Sequence, residues 1–258
     1  MRLKSATVIA VCALALGLLA ACEARHASTG PGGVGTPAST VAPAADQQRG
    51  HGRFVATTEH LTSSGKGSVG FDIDVPQVRV EGPGVNWSAG REFNDAMVQG
   101  LWTYVDQQQD PAVITDPNKS SAVERIGTHV LSGVLYLRVD FHGAHPEDLL
   151  FSHVTNIDTA QEITLASLFT NEQQGLNVLA AQTKTQLTRT RVADAVRFDD
   201  VKAAATTFEV WTATQAGLHV YFPQGQIGPE AAGVVDVTVP WSDLNGVLKP
   251  GMLAVLSS

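Results

Sequence analysis

The chain has 258 residues, of which 43% are hydrophobic and 16% are charged, so it can bury a sizeable core and is globular overall. Its 25 acidic side chains outnumber the 17 basic ones, which argues against nucleic acid or anionic lipid headgroups as partners. The two cysteines, Cys12 and Cys22, both lie near the start, so the rest of the chain has no disulfide, thiolate nucleophile or cysteine-ligated metal.

Residues 1–21 have the pattern of a secretory signal peptide, since a basic start precedes an apolar run that ends in small residues. The run closes on Leu19-Ala20-Ala21-Cys22, which resembles a bacterial lipobox. That resemblance implies cleavage between Ala21 and Cys22, transfer of a diacylglycerol to the Cys22 thiol and acylation of the new amino terminus. We therefore expect a protein held on the extracytoplasmic face of the cell membrane by a lipid anchor. The alternative is an ordinary signal peptide that happens to contain a cysteine.

Residues 22–52 are predicted to be a flexible linker, because a segment this rich in Gly, Pro, Ala and Thr buries too little apolar surface to become ordered. Such a coil would hold the folded part on the order of 30 Å from the membrane. Removal of the signal peptide takes away Arg2 and Lys4, which leaves 15 basic against 25 acidic side chains and a formal charge of −10. An acidic surface of this kind favours a cationic partner.

Residues 53–122 are predicted to form a small strand–helix subdomain. Two strands are expected at 54–61 and 69–75, and Pro76 indicates a sheet edge or a bulge. A helix follows from Ser88, whose hydroxyl can cap it, to about Gln109. Its apolar face is predicted from residues that recur every four positions: Phe93, Met97, Leu101 and Val105.

Residues 123–258 are predicted to form a second, larger domain of strands and one long helix. In the strand at 134–142 apolar and polar positions alternate, which places Tyr136, Arg138, Asp140 and His142 on one face. A helix is expected over 165–189. Three more strands and a short closing helix follow, at 207–212, 217–222, 234–239 and 240–244. The order predicts an α+β fold, with a mainly antiparallel sheet and two packed helices.

Several short motifs of this second part occur in a recognisable order. They are Gly143-Ala-His145, Asn156–Leu165 with Leu168-Phe169, Gly217–Phe222, Ile227–Gly233 and Val239–Leu244. Over about residues 123–248 they resemble the extracellular domain of RsiV-type anti-sigma factors, and also the secreted immunogenic mycobacterial proteins of the MPT/MPB type. The resemblance implies a β-grasp-like α+β fold and, in RsiV-type proteins, binding of lysozyme. Some secreted relatives are described as cell-wall esterases.

A polar patch is expected on the strand face that carries Arg138, Asp140 and His142, with His145 in the following turn and His153 nearby. Two imidazoles and a carboxylate can bind zinc with a position left open for water. A patch of hydrogen-bonded side chains is the simpler interpretation, because the His-Glu-x-x-His helix of zinc hydrolases is absent from the sequence. We therefore predict no metal and no cofactor.

Three aromatic side chains, Tyr136, His219 and Tyr221, are predicted on the polar sides of their strands. Exposed there, they would form a partner-binding surface, whereas a second sheet layer would bury them. The sequence as a whole predicts a noncatalytic binding module at the cell envelope. Its expected ligand is a protein such as lysozyme, or a cell-wall component, and not nucleic acid. The alternative is a weak cell-wall esterase.

The lipobox interpretation is tested by the substitution Cys22→Ala. Without the thiol no diacylglycerol can be attached, so the variant should be released from the membrane or accumulate as the unprocessed precursor. Membrane fractionation and the size of the mature chain measure this. Normal membrane retention of a fully processed variant would refute the lipid anchor.

Overall fold

The computed structural model describes residues 52–64, 69–108, 112–117, 120–141 and 145–258. The predicted signal peptide, the proposed lipidation site at Cys22 and nearly all of the linker lie outside these ranges, as does His142. Within the described ranges no helix is both long and apolar enough to cross a membrane.

Ten strands and five α-helices make up the described part of the chain. The first half contains β1 (Arg53–Ser64), β2 (Gly70–Glu81), α1 (Trp87–Gln107), β3 (Val113–Thr115), β4 (Ala122–Ile126), β5 (Val130–Asp140), β6 (Glu147–Asn156) and β7 (Gln161–Glu162). The second half contains α2 (Leu165–Leu168), α3 (Glu172–Leu187), β8 (Trp211–Ala213), β9 (Gly217–Phe222), β10 (Val235–Pro240), α4 (Trp241–Leu244) and α5 (Met252–Leu256). Short 3₁₀ turns lie at Ala193–Ala195, Phe198–Asp200, Ala205–Phe208 and Glu230–Ala232.

The strands form two sheets. Strands β1 to β7 make a seven-stranded sheet, in which β3 and β4 pair with successive parts of one edge of β5. The pairing of β2 with β3 is parallel, and the other pairs of this sheet are antiparallel. The second sheet has the order β10-β9-β8 and is antiparallel. The predicted α+β class with mainly antiparallel pairing is thereby confirmed.

Helix α1 packs on one face of the seven-stranded sheet. Its predicted apolar face is confirmed, because Phe93, Met97 and Leu101 are fully buried against β2, β5 and β6. The helix comes close to the sheet at Gly100, where a Cβ atom would lie within 3 Å of the Phe151 ring. Glycine is therefore needed for this approach and not for backbone flexibility.

The start of α1 differs from the prediction. The helix begins at Trp87 with Asn86 at the N-cap position, so Ser88 lies inside the first turn and is not the cap. The Asn86 amide does not cap the helix either, because its Nδ2 donates to the carbonyl oxygen of Ile157 at 2.6 Å. This long-range hydrogen bond ties the start of α1 to the turn after β6.

The helix predicted over 165–189 is two helices, α2 and α3. The Asn171 side chain accepts a hydrogen bond from the backbone N–H of Gln174 at 2.9 Å and so starts α3 anew. Between the two helices Phe169 is buried and packs against Gly175, where even one extra carbon would clash with the ring. A local cap and one buried ring thus divide a stretch that is helical by propensity.

Two other predictions need correction in detail. Strand β2 runs through Pro76 without interruption. Strand β3 pairs only with residues 70–72, so no strand on that side of Pro76 requires the N–H that proline lacks. The strand predicted at 207–212 is a 3₁₀ turn followed by the short β8. The seven-stranded sheet takes strands from both sides of the predicted subdomain boundary at residues 122 and 123, and that boundary stays a prediction.

The second sheet meets the first through the edge of β8. The backbone N–H of Ala213 donates to the Ser132 hydroxyl on β5, and that of Trp211 donates to the Ser152 hydroxyl on β6, both at 2.9 Å. A small apolar cluster, which includes Val134 and Tyr221, fills the space between the sheets. Two serine hydroxyls therefore accept hydrogen bonds from backbone N–H groups on a buried strand edge that has no neighbouring strand.

The Ser132 hydroxyl can be tested by the substitution Ser132→Ala. The variant leaves the buried Ala213 N–H without an acceptor, so we expect the free energy of unfolding to fall by about 1–3 kcal/mol. Chemical denaturation measures the change. The matched control is Ser242→Ala, since Ser242 is exposed and its hydroxyl bonds only the neighbouring Asp243 carboxylate. Equal stability of the two variants would contradict this role of Ser132.

Candidate functional site

The polar patch predicted from β5 can be described at Arg138, Asp140 and His145, since His142 lies outside the described residues. Arg138 makes a two-pronged ion pair with Asp148 across the β5–β6 pair, at 2.7 and 2.8 Å. This pairing raises the pKa of the Arg138 guanidinium above its ordinary value. His145 is exposed in the loop before β6, and Asp140 lies at the end of β5. The described part of the predicted patch therefore contains a surface ion pair between Arg138 and Asp148.

His153, which we expected near this patch, lies on the opposite side of the sheet. It pairs in register with Gly133, whose position faces α1, whereas Arg138 points the other way. Among the described residues no group of three or more His, Cys, Asp and Glu side chains is arranged to hold a metal ion.

The three predicted aromatic residues come together where the two sheets meet. The His219 and Tyr221 rings stack with centroids 4.4 Å apart, and the Tyr221 ring meets the Tyr136 ring edge-on at 6.1 Å. We refer to these three side chains as the aromatic cluster. Tyr221 is buried, whereas Tyr136 and His219 are half-buried and reach the surface. A second sheet therefore covers one ring and leaves parts of the other two accessible, and their role in binding a partner stays a prediction.

Three carboxylates act electrostatically on the Tyr136 hydroxyl, and we call them the acidic rim: Glu124, Asp148 and Asp236. Asp236 accepts a hydrogen bond from His219 Nε2 at 2.8 Å. Burial raises the pKa of the Tyr136 hydroxyl above its ordinary value, and the charges of all three rim residues raise it further. The pKa of the Tyr221 hydroxyl is raised by burial first and then by Glu124. Tyrosine hydroxyls are already neutral at physiological pH, and the raised pKa values keep these two neutral further into the alkaline range.

The acidic rim was not found by sequence analysis, although part of its signal is in the sequence. Val235, Val237 and Val239 mark one face of β10, so Asp236 must lie on the other face, which is the face of His219 in the paired strand β9. Glu124 lies at a shift in the β4–β5 register, and alternation alone does not place its side chain there.

A second polar group, also missed, lies under α1. The Glu92 carboxylate accepts hydrogen bonds from His153 Nε2 at 2.8 Å and from the Thr155 hydroxyl at 2.6 Å. Burial acts to raise the pKa of Glu92, but these two hydrogen bonds outweigh it and hold the pKa below its ordinary value. A charged carboxylate is thus fixed in place between the helix and the sheet, with one side facing solvent.

Comparison with known proteins finds similarity of fold. The family model described as "Protein of unknown function (DUF3298)" matches residues 166–242. A crystal structure of a member of the DUF3298 family from Bacteroides fragilis NCTC 9343 covers 81% of this chain and 98% of its own, with 13% identity and a TM-score of 0.56. A DUF3298 family protein from Pseudomonas aeruginosa PAO1 covers 78% of this chain and 95% of its own, with 12% identity and a TM-score of 0.50.

No curated protein matches the chain significantly. The similarity thus rests on the family model and the solved structures. In residues 166–242 the chain is similar to the DUF3298 family, whose function is unknown, and its overall fold is similar to that of solved proteins of that family.

Proposed function

We propose that this chain is a noncatalytic binding module of the bacterial cell envelope, and that its ligand is a cationic protein surface. In this proposal Cys22 carries the lipid anchor, residues 22–52 act as a spacer, and the resemblance to RsiV-type proteins extends to a retained protein-binding face. Lysozyme is the candidate partner, because RsiV-type proteins bind it and because it is strongly basic. The observation that carries the proposal is the aromatic cluster with its acidic rim.

The accessible part of this surface combines ring edges and carboxylates. His219 keeps 19% of its side-chain surface and its partner Asp236 keeps 52%, while Tyr221 beneath them is buried and holds the rings in place. Rigid aromatic side chains lose little conformational entropy on binding, and tyrosine is enriched among the residues that contribute most to protein interfaces. A preformed cluster of this kind suits recognition without a large rearrangement.

The charge of the surface selects the partner. The rim contributes three carboxylates, of which Asp148 is already neutralised by Arg138, so Glu124 and Asp236 remain available to an incoming Lys or Arg. The mature chain as a whole carries a formal charge of −10, which steers a basic protein toward it over long range. Charges at the edge of an interface act mainly on the association rate and on its salt dependence.

The proposal predicts that the double substitution Glu124→Gln and Asp236→Asn weakens binding of hen lysozyme. Removing two rim charges lowers the attraction. It also weakens the hydrogen bond that orients His219, because an amide oxygen is a weaker acceptor than a carboxylate. We therefore expect about a tenfold or greater loss of affinity at low ionic strength. Surface plasmon resonance at two salt concentrations measures both the affinity and the association rate.

A charge-matched control is available in Glu209→Gln with Glu230→Gln. Both glutamates are exposed and neither belongs to the rim, so this variant changes the net charge by the same amount. An equal loss of affinity in the two double variants would mean that only the overall charge matters. Either that result or the absence of lysozyme binding by the unaltered chain at low salt would overturn the proposed surface.

The noncatalytic part of the proposal is tested separately with short acyl esters. We expect no turnover above that of a boiled control, with or without a chelator. Sustained turnover that a single Ser or His substitution abolishes would establish the alternative, a cell-wall esterase. Sensitivity to the chelator would then identify a metal-dependent enzyme.

A further inference from the structure

The outer face of α1 carries the most exposed large apolar side chain in the described part of the chain. Trp87 keeps 61% of its surface, compared with 39% for Trp102 on the same helix. Trp102 is accounted for by packing, since its ring meets Phe71 edge-on at 5.4 Å. Trp87 instead stands at the first turn of the helix, where Arg91 lies over its ring at 5.2 Å from the centroid.

A depression of about 540 Å³ lies along the same helix and begins at Ser88, the residue after Trp87. This α1 depression is lined by five polar side chains and two alanines: Ser88, Arg91, Glu92, Asp95, Gln99, Ala96 and Ala160. Arg91 links the two features because it both covers part of the Trp87 ring and lines the depression. The volume is within the range of about 300–1,000 Å³ that is typical of small-molecule sites.

The floor of the α1 depression is held in place by hydrogen bonds between the helix and the sheet. Glu92 is held by His153, which is itself 93% buried, and by Thr155, while each carboxylate oxygen keeps a second lone pair for another donor. At the side of the depression Ala160 has a left-handed backbone with a φ of 52°, which is unfavourable for a residue with a side chain. The turn after β6 is thus kept against the helix despite a local cost.

The chemistry of these groups matches a neutral carbohydrate. Carboxylate, guanidinium and amide groups are planar and offer two acceptors or donors side by side, which fits pairs of neighbouring hydroxyl groups on a sugar ring. The flat C–H face of a pyranose is apolar and covers an exposed indole. The depression contains two carboxylates and one guanidinium. Hydroxyl groups of a ligand can donate to the carboxylates and accept from the guanidinium, whereas an anionic ligand would face a net negative charge.

We propose that Trp87 and the α1 depression form a binding site for a neutral glycan, with one sugar ring on the indole and the next in the depression. Glu92, Asp95 and Gln99 accept and donate the hydrogen bonds to the hydroxyl groups. The site lies on the α1 side of the seven-stranded sheet, whereas the aromatic cluster lies on the other side. It is therefore independent of the proposed protein-binding surface, and either can exist without the other.

Isothermal titration of the full processed chain, purified in detergent, tests this site with two probes, chitotetraose and cellotetraose. We expect saturable binding of at least one of them, and a difference between the two shows whether the acetamido group contributes. The substitution Trp87→Ala should weaken that binding by about tenfold or more, because the ring supplies most of the apolar contact. Trp87→Phe should retain a measurable part of the affinity. Absence of saturable binding of both probes to the unaltered chain would overturn the site.

Control variants distinguish this site from the aromatic cluster and from a general effect of replacing a tryptophan. Trp102→Phe changes the second tryptophan of α1 while keeping an aromatic ring against Phe71, and it should bind as the unaltered chain does. His219→Ala alters the aromatic cluster and should also leave glycan binding unchanged. Because Trp87 is largely exposed, Trp87→Ala should unfold at the same temperature as the unaltered chain. Unweakened glycan binding by Trp87→Ala, or a loss of binding caused by His219→Ala, would place the glycan elsewhere.

Discussion

The second sheet depends on two hydroxyl groups of the first. Strand β8 is short and buried, and the N–H groups on its outer edge have no neighbouring strand to pair with. Ser132 and Ser152 accept from these N–H groups, so the edge enters the interior without an unpaired donor. A buried N–H without an acceptor costs about 1–3 kcal/mol, which is a large share of the stability of a domain. Together with the apolar packing between the sheets, this pairing fixes how the second sheet lies on the first.

The aromatic cluster is a direct consequence of that contact. Tyr136 belongs to the first sheet, whereas His219 and Tyr221 belong to the second, so the rings meet only because the sheets are joined at β8. The same contact brings Asp236 of β10 to the carboxylates of β4 and β6 around Tyr136. The surface that we propose for a cationic partner is therefore made by the junction and not by either sheet alone.

The opposite face of the seven-stranded sheet has a different character. There α1 covers the core with its apolar side and turns Trp87 and a row of polar side chains outward. Glu92 connects the two layers, since it lies on the helix and accepts hydrogen bonds from His153 and Thr155 of β6. One sheet thus supports two chemically distinct surfaces, one acidic and aromatic, the other polar with a single exposed indole.

The sequence by itself determined the elements whose signal is local and periodic. The apolar spacing of α1 and the alternation in β5 follow from helix and strand geometry, so the faces of Phe93 and Tyr136 were predictable, as was the α+β class. Tertiary structure decided what those faces meet. The division of the predicted helix is partly local, because the Asn171 side chain caps α3 at Gln174, and partly tertiary, because Phe169 is buried between the two helices. His153 leaves the predicted patch because the sheet register turns it toward Glu92. That contact joins residues 61 positions apart in the chain, and no local pattern encodes it.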